Sequence, residues 1–138
     1  MALSRLTNRI PALVVVLSAL ALTSCGKPSA PAADVQQIPP VKTADTTFGA
    51  TPNPIVVTDG TGLGLTTLSW TTTKTKLMDI RVSSPGGALL GTVSPSGTTD
   101  TGKWVRDGMQ FYLQDAKAAN RTDASATLAV LTVKVIQR

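Results

Sequence analysis

The chain holds one cysteine, Cys25, and has neither histidine nor glutamate. Those facts decide most of the chemistry open to it. Without histidine there is no Ser-His-Asp or Cys-His relay and no imidazole-ligated zinc. Every carboxylate is an aspartate: Asp34, Asp45, Asp59, Asp79, Asp100, Asp107, Asp115 and Asp123. A pair of carboxylates can flank a glycosidic bond, yet no spacing here marks out a pair. Asp59, Asp100 and Asp107 fall in turn sequences but lack the D-x-D-x-D spacing of a calcium loop. No catalytic residue, metal or cofactor is expected, and the chain reads as a non-enzyme. What remains is one thiol, two tryptophans and a scatter of lysines and arginines.

The thiol is placed by what precedes it. Arg5 and Arg9 form a positive start, and residues 12–22 are an apolar run of 11 residues interrupted only by Ser18. Such a run suits a helical signal peptide and falls well short of the ~20 residues of a spanning helix. Leu22-Thr23-Ser24-Cys25 closes it. A lone cysteine in an exported chain has no disulfide partner and needs another explanation.

Leu22-Thr23-Ser24-Cys25 resembles a bacterial lipobox. The resemblance implies cleavage before Cys25, a thioether-linked diacylglycerol on its sulfur and usually an N-acyl chain such as palmitate. Two or more chains, at ~0.8 kcal/mol per buried CH₂, hold a protein stably on a bilayer. Residues 1–24 are then a lipoprotein signal peptide, and the protein is expected in the cell envelope, anchored through Cys25. Gly26 stands where an Asp tends to retain Gram-negative lipoproteins at the inner membrane, so the outer membrane is favoured if there is one.

Beyond the leader 114 residues remain, one domain's worth. The full chain carries a formal +5, and losing Arg5 and Arg9 leaves 11 cations against 8 aspartates. That balance is too mild for a nucleic-acid binder. Residues 25–45 are rich in Pro, Ala, Ser and Gln, which predicts a disordered, extended tether.

From residue 46 short apolar runs alternate with turn residues, which predicts an all-β, antiparallel sandwich of about seven strands over residues 46–138. The expected strands are 47–51 resumed at 55–58 past Pro52 and Pro54, then 64–72, 77–83, 88–93, 101–106, 109–114 and 126–136. Met78, Ile80 and Val82 alternate against Asp79 and Arg81, the mark of a half-buried strand. Residues 94–97 read as a turn, and residues 115–125 as a polar loop with room for one helical turn.

Thr67-Leu68-Ser69-Trp70, Ile80-Arg81-Val82 and the stretch from Lys103 to Leu113 resemble strands B, C and E–F of immunoglobulin-like, fibronectin type III-like modules. That resemblance implies an immunoglobulin-like sandwich and names no activity. It also implies that the B–C and F–G loops share an end with the N-terminus. Lys74 and Lys76 lie in the first loop, Lys117 and Arg121 in the second with Asp115 and Asp123. The expectation is a basic patch where the tether enters, attracted to an anionic leaflet by about 1 kcal/mol per cation.

Trp70 shares the phase of Leu68 and is expected in the core. Trp104 is out of phase with Val105, so it is the candidate ligand-binding residue, able to stack on a sugar or to cover the open end of the sandwich. Gly60-Thr61-Gly62-Leu63-Gly64 leads into a strand, not a helix, and lacks the lysine of a phosphate loop. The expected partners are the membrane, an envelope protein or a glycan, and not nucleic acid. The expected role is a non-catalytic binding or spacer module. The alternatives are a carbohydrate-binding module and an accessory subunit of an envelope complex.

Overall fold

The computed structural model describes residues 35–138. The leader, Cys25 and the tether up to residue 34 lie outside the described residues.

The described chain is an all-β, antiparallel sandwich, as its alternating pattern predicts. One sheet orders β1 (Val41–Lys42), β2 (Thr46–Thr51), β4 (Thr67–Thr72) and β7 (Ser96–Asp100) side by side. The other orders β6 (Ala88–Val93), β5 (Met78–Val82), β8 (Met109–Asp115) and β9 (Thr127–Val133). A short parallel pair, β3 (Ile55–Val57) with β10 (Val135–Gln137), completes it. Period-2 alternation sends Phe48, Leu68 and Trp70 inward from the first sheet, and Met78, Ile80, Phe111, Leu113, Leu131 and Val133 inward from the second. Burying each such side chain stabilises the fold by roughly 1.5–3 kcal/mol. The Trp70 indole N–H donates to the Ser94 carbonyl at 2.9 Å, so its one polar atom is satisfied.

The first strand changes sheets. After β2 the chain kinks through Pro52 and Pro54, both cis, and resumes as β3 beside β10. Asn53, fully buried between them, staples the crossing. Its Nδ2 donates to Thr132 O at 3.1 Å, and its Oδ1 accepts from Lys134 N at 2.9 Å. The last strand makes the matching change at Lys134, leaving β8 to pair with β3.

Three expectations are corrected. The fifth strand is not 101–106 but β7, running through residues expected to turn. Gly97 sits opposite Trp70, and a Cβ there would come 3.0 Å from the indole Cζ2. This glycine admits a ring. Residues 101–106 form a loop in which Val105 bridges back to Gly64 and Thr101 bonds the backbone of Thr66. Second, the sheet takes in part of the expected tether. Val41 and Lys42 pair with Phe48 and Thr47, and the Ile38 amide bonds to the Asn53 carbonyl. Third, Asp79 and Arg81, expected on a solvated face, are buried, because the β8–β9 loop folds over the outer surface of that sheet.

Candidate functional site

The predicted basic patch divides on folding. The β4–β5 and β8–β9 loops do share an end. Thr75 Oγ1 donates to Asp115 Oδ1 at 2.7 Å, and Ala116 N donates to Leu77 O at 3.1 Å. Asp115 Oδ1 also accepts from Lys117 N at 2.9 Å, which turns that loop tightly. Lys74, Lys76 and Lys117 are therefore exposed at one end. Arg121 is drawn away to an ion pair, its Nε 3.3 Å from Asp79 Oδ2.

The chain does not enter at that end. β1 is antiparallel to β2 and runs toward the loops, so its approach is from the far end of β2. Gln37 Oε1 and the Ile38 amide both bond the backbone of Asn53 there. The lysines thus lie at the opposite end of β2 from the incoming chain. The expected coincidence of basic loops and tether is overturned by a two-residue strand.

Arg121 belongs instead to a cluster that sequence reasoning missed. The Asp79 carboxylate, fully buried, takes Arg81 Nη2 at 3.2 Å and Arg121 Nε at 3.3 Å on Oδ2, and Thr92 Oγ1 at 2.6 Å on Oδ1. Arg81 Nη1 reaches the Gly87 carbonyl at 3.0 Å. Beside them Gln114 Nε2 donates to the Asp123 carbonyl at 3.0 Å. Asp123 caps the short 3-10 turn Ala124–Ala126 by accepting from Ser125 N, and that hydrogen bond holds its carboxyl below the usual range. Arg81 Nε, Gln114 Oε1 and Thr127 Oγ1 are buried without a hydrogen-bond partner among the described residues. The cluster sets one carboxylate against two guanidinium groups. Its work is to clamp a loop and a strand onto the sheet. The only sequence signal was an Asp and an Arg two residues apart on the outward phase of a strand.

Trp104 covers the other end of the core. Its ring lies 6.0 Å from that of Phe111, tilted by 50°, and is half-buried. Val105 beside it is fully buried, as its phase predicts. The Trp104 indole N–H makes no hydrogen bond among the described residues, unlike that of Trp70.

Next to Trp104 in sequence, Lys103 helps to form the mouth of a cleft of about 460 Å³. Pro52, Ile55, Val56, Leu63 and Leu65 make its walls apolar. Gly64 lets the walls close, since a Cβ there would come 2.6 Å from Ile55 Cγ2. Lys103 pairs with Asp59 at the rim, which holds the Asp59 carboxyl well below the usual carboxylate range, and Thr61 adds two hydrogen bonds to the same carboxylate. The Gly60–Gly64 stretch is thus a turn built around Asp59, with Gly60 and Gly62 at positive φ. Such a cleft can seat an apolar group next to a polar one.

Comparison with known proteins finds no matching family model, no matching curated protein and no matching solved structure.

Proposed function

We propose that the chain is a bacterial lipoprotein, anchored in the cell envelope through lipid on Cys25, that presents a non-catalytic immunoglobulin-like module for binding. The observation that carries this reading is Leu22-Thr23-Ser24-Cys25 closing an 11-residue apolar run, with the sole cysteine at its end. The folded part supports the binding role. Asp79, Arg81, Arg121, Asp59 and Lys103 are tied up in pairs that fix loops, while among the described residues the apolar cleft and one margin are left uncovered. In a Gram-negative cell the outer membrane is the favoured location, from Gly26.

The test compares the native protein with Cys25→Ser. Triacylation at Cys25 and partition into membranes, both lost in the variant, are the expected result. Two soluble forms cut at the same site without lipid would overturn the reading.

A glycan-binding role keeps one observation in its favour, the N–H of half-buried Trp104, without a hydrogen bond among the described residues and beside the cleft-forming Lys103. Quenching of tryptophan fluorescence by cell-wall glycans, abolished in Trp104→Ala, would establish it. No quenching in the native protein would remove it.

A further inference from the structure

The sandwich has two long margins, and one of them is bare. β6 and β7 are the outermost strands of their respective sheets on one side, with no strand beyond either among the described residues. They follow each other in sequence, joined through Ser94 and Pro95. No charged residue occurs anywhere from Ser83 to Thr99. Leu89 on β6 is 46% exposed, and Ser96, Gly97 and Thr98 on β7 are exposed. An edge strand offers a row of unpaired amides and carbonyls, and proteins commonly blunt it with lysine or proline on the edge. Pro85 and Pro95 both fall outside the strands here. The blunting devices are the bulge in β6 opposite Ile80 and Arg81 and the charge of Asp100 at the last position of β7.

We propose that this margin pairs with the same margin of a second copy of the chain. The charge pattern points to the occupant. The chain beyond the leader is mildly positive, 11 cations against 8 aspartates, and a 17-residue stretch without charge lets two copies approach with no like charges facing each other. Antiparallel pairing about a two-fold axis is self-complementary. It would set β6 against β6 and β7 against β7, extending both sheets at once. Leu89 would lose its exposure in the same step.

The contact is small. Strands of ~20 Å in two layers ~10 Å apart present roughly 400 Å² per copy. The total is below the ~1,200 Å² of a stable interface. Two free copies in dilute solution would therefore associate weakly. Copies held on one bilayer meet at a raised effective concentration, so the full strength of the pairing rests on the lipid anchor proposed above.

The experiment is disulfide trapping in membranes carrying the full-length protein. Gly91→Cys places a thiol on β6 where an added Cβ meets nothing within 4 Å. Thr132→Cys places one on exposed β9 as a control. Oxidation should yield a dimer of Gly91→Cys at least tenfold above that of Thr132→Cys. Adding Leu89→Lys and Thr98→Lys should return it to the control level. Equal yields from the two cysteines, a dimer that survives both lysines, or cross-linking only to a protein of another mass would each overturn the second-copy assignment. The parent chain separates the two proposals. Lipid on Cys25 leaves it no thiol, so a cross-linked parent dimer counts against the anchor and not against the margin.

Discussion

The two margins of the sandwich are built on opposite plans. On one, β2 crosses to become β3, β9 leaves its sheet to become β10, and the pair seals the gap between sheets in parallel. Four prolines (Pro39, Pro40, Pro52 and Pro54) and the charges of Lys42, Asp107 and Lys134 crowd that side. On the other, β6 and β7 end their sheets without a covering element among the described residues, and Asp100 at the end of β7 is the one charge on either strand. Both margins face the same physical problem, unpaired backbone at a sheet edge. The closed side solves it covalently, by exchanging strands. The open side leaves it to be solved by another molecule.

The largest expected effect falls at the root of the open margin. Asp79 holds β6 through Thr92, and the β8–β9 loop through Arg121. Asp79→Ala would strand two guanidinium groups beside a buried site, at a cost of about 3–5 kcal/mol. Denaturant unfolding should show it. Hydrogen exchange should quicken first in β6 and the β8–β9 loop, while β3 and β10 keep their protection. Uniform loss of protection would mean that the margins are not separable.

Asn53→Ala breaks the closed margin instead. It leaves the Lys134 amide and the Thr132 carbonyl without their side-chain partners, at roughly 2–3 kcal/mol. The faster exchange should then appear at β3 and β10. Gly97→Val comes next. Its Cβ meets the Trp70 ring at 3.0 Å, so the indole must shift. Overpacking of this kind costs about 1–3 kcal/mol, and loss of the Trp70 bond to Ser94 should appear as a change in near-ultraviolet circular dichroism. Leu89→Lys touches no core residue and should leave stability within about 0.5 kcal/mol, while it removes the self-pairing tested by disulfide trapping. That split between stability and association marks a surface kept for contact.

The core was legible in the sequence and the covered surface was not. Met78, Ile80, Phe111, Leu113, Leu131 and Val133 announce themselves by period-2 alternation, and each is buried. Alternation assigns a residue to a face but says nothing of what lies on that face. Asp79 and Arg81 were assigned correctly to the outer face and wrongly to solvent, because the loop that covers them starts more than 30 residues later. Gly97 carried the opposite ambiguity. A glycine beside Ser and Pro looks like a turn, and only the Trp70 ring across the strand shows that it admits an aromatic group. The lysine patch failed for a topological reason. A two-residue strand at Val41 reverses the chain's approach, and two residues carry no periodicity to read. Trp104 was half legible, since its phase placed it outside the strand pattern while its packing on Phe111 came from the fold.

The smallest expected effect concerns pH at the cleft, at the far end of the closed margin. Lys103, and then Thr61, hold the Asp59 carboxyl below its usual range, and Ser125 does the same for Asp123. In both cases the folded state favours the ionised form more than the unfolded chain does. The stability they contribute is present above the unfolded carboxylate value of about 3.9. It declines as pH falls from there through the lower folded values. Thermal midpoints should therefore drop between about pH 4 and pH 2. Both groups are exposed, so solvent screens the effect and the slope will be shallow. Asp59→Asn should flatten part of that slope and lower the midpoint at pH 7 by the same small amount, because the variant lacks at neutral pH the stability that the native protein loses in acid. An unaltered slope in the variant would mean that the acid sensitivity lies with other carboxylates, and that the rim pair of the cleft contributes position rather than stability.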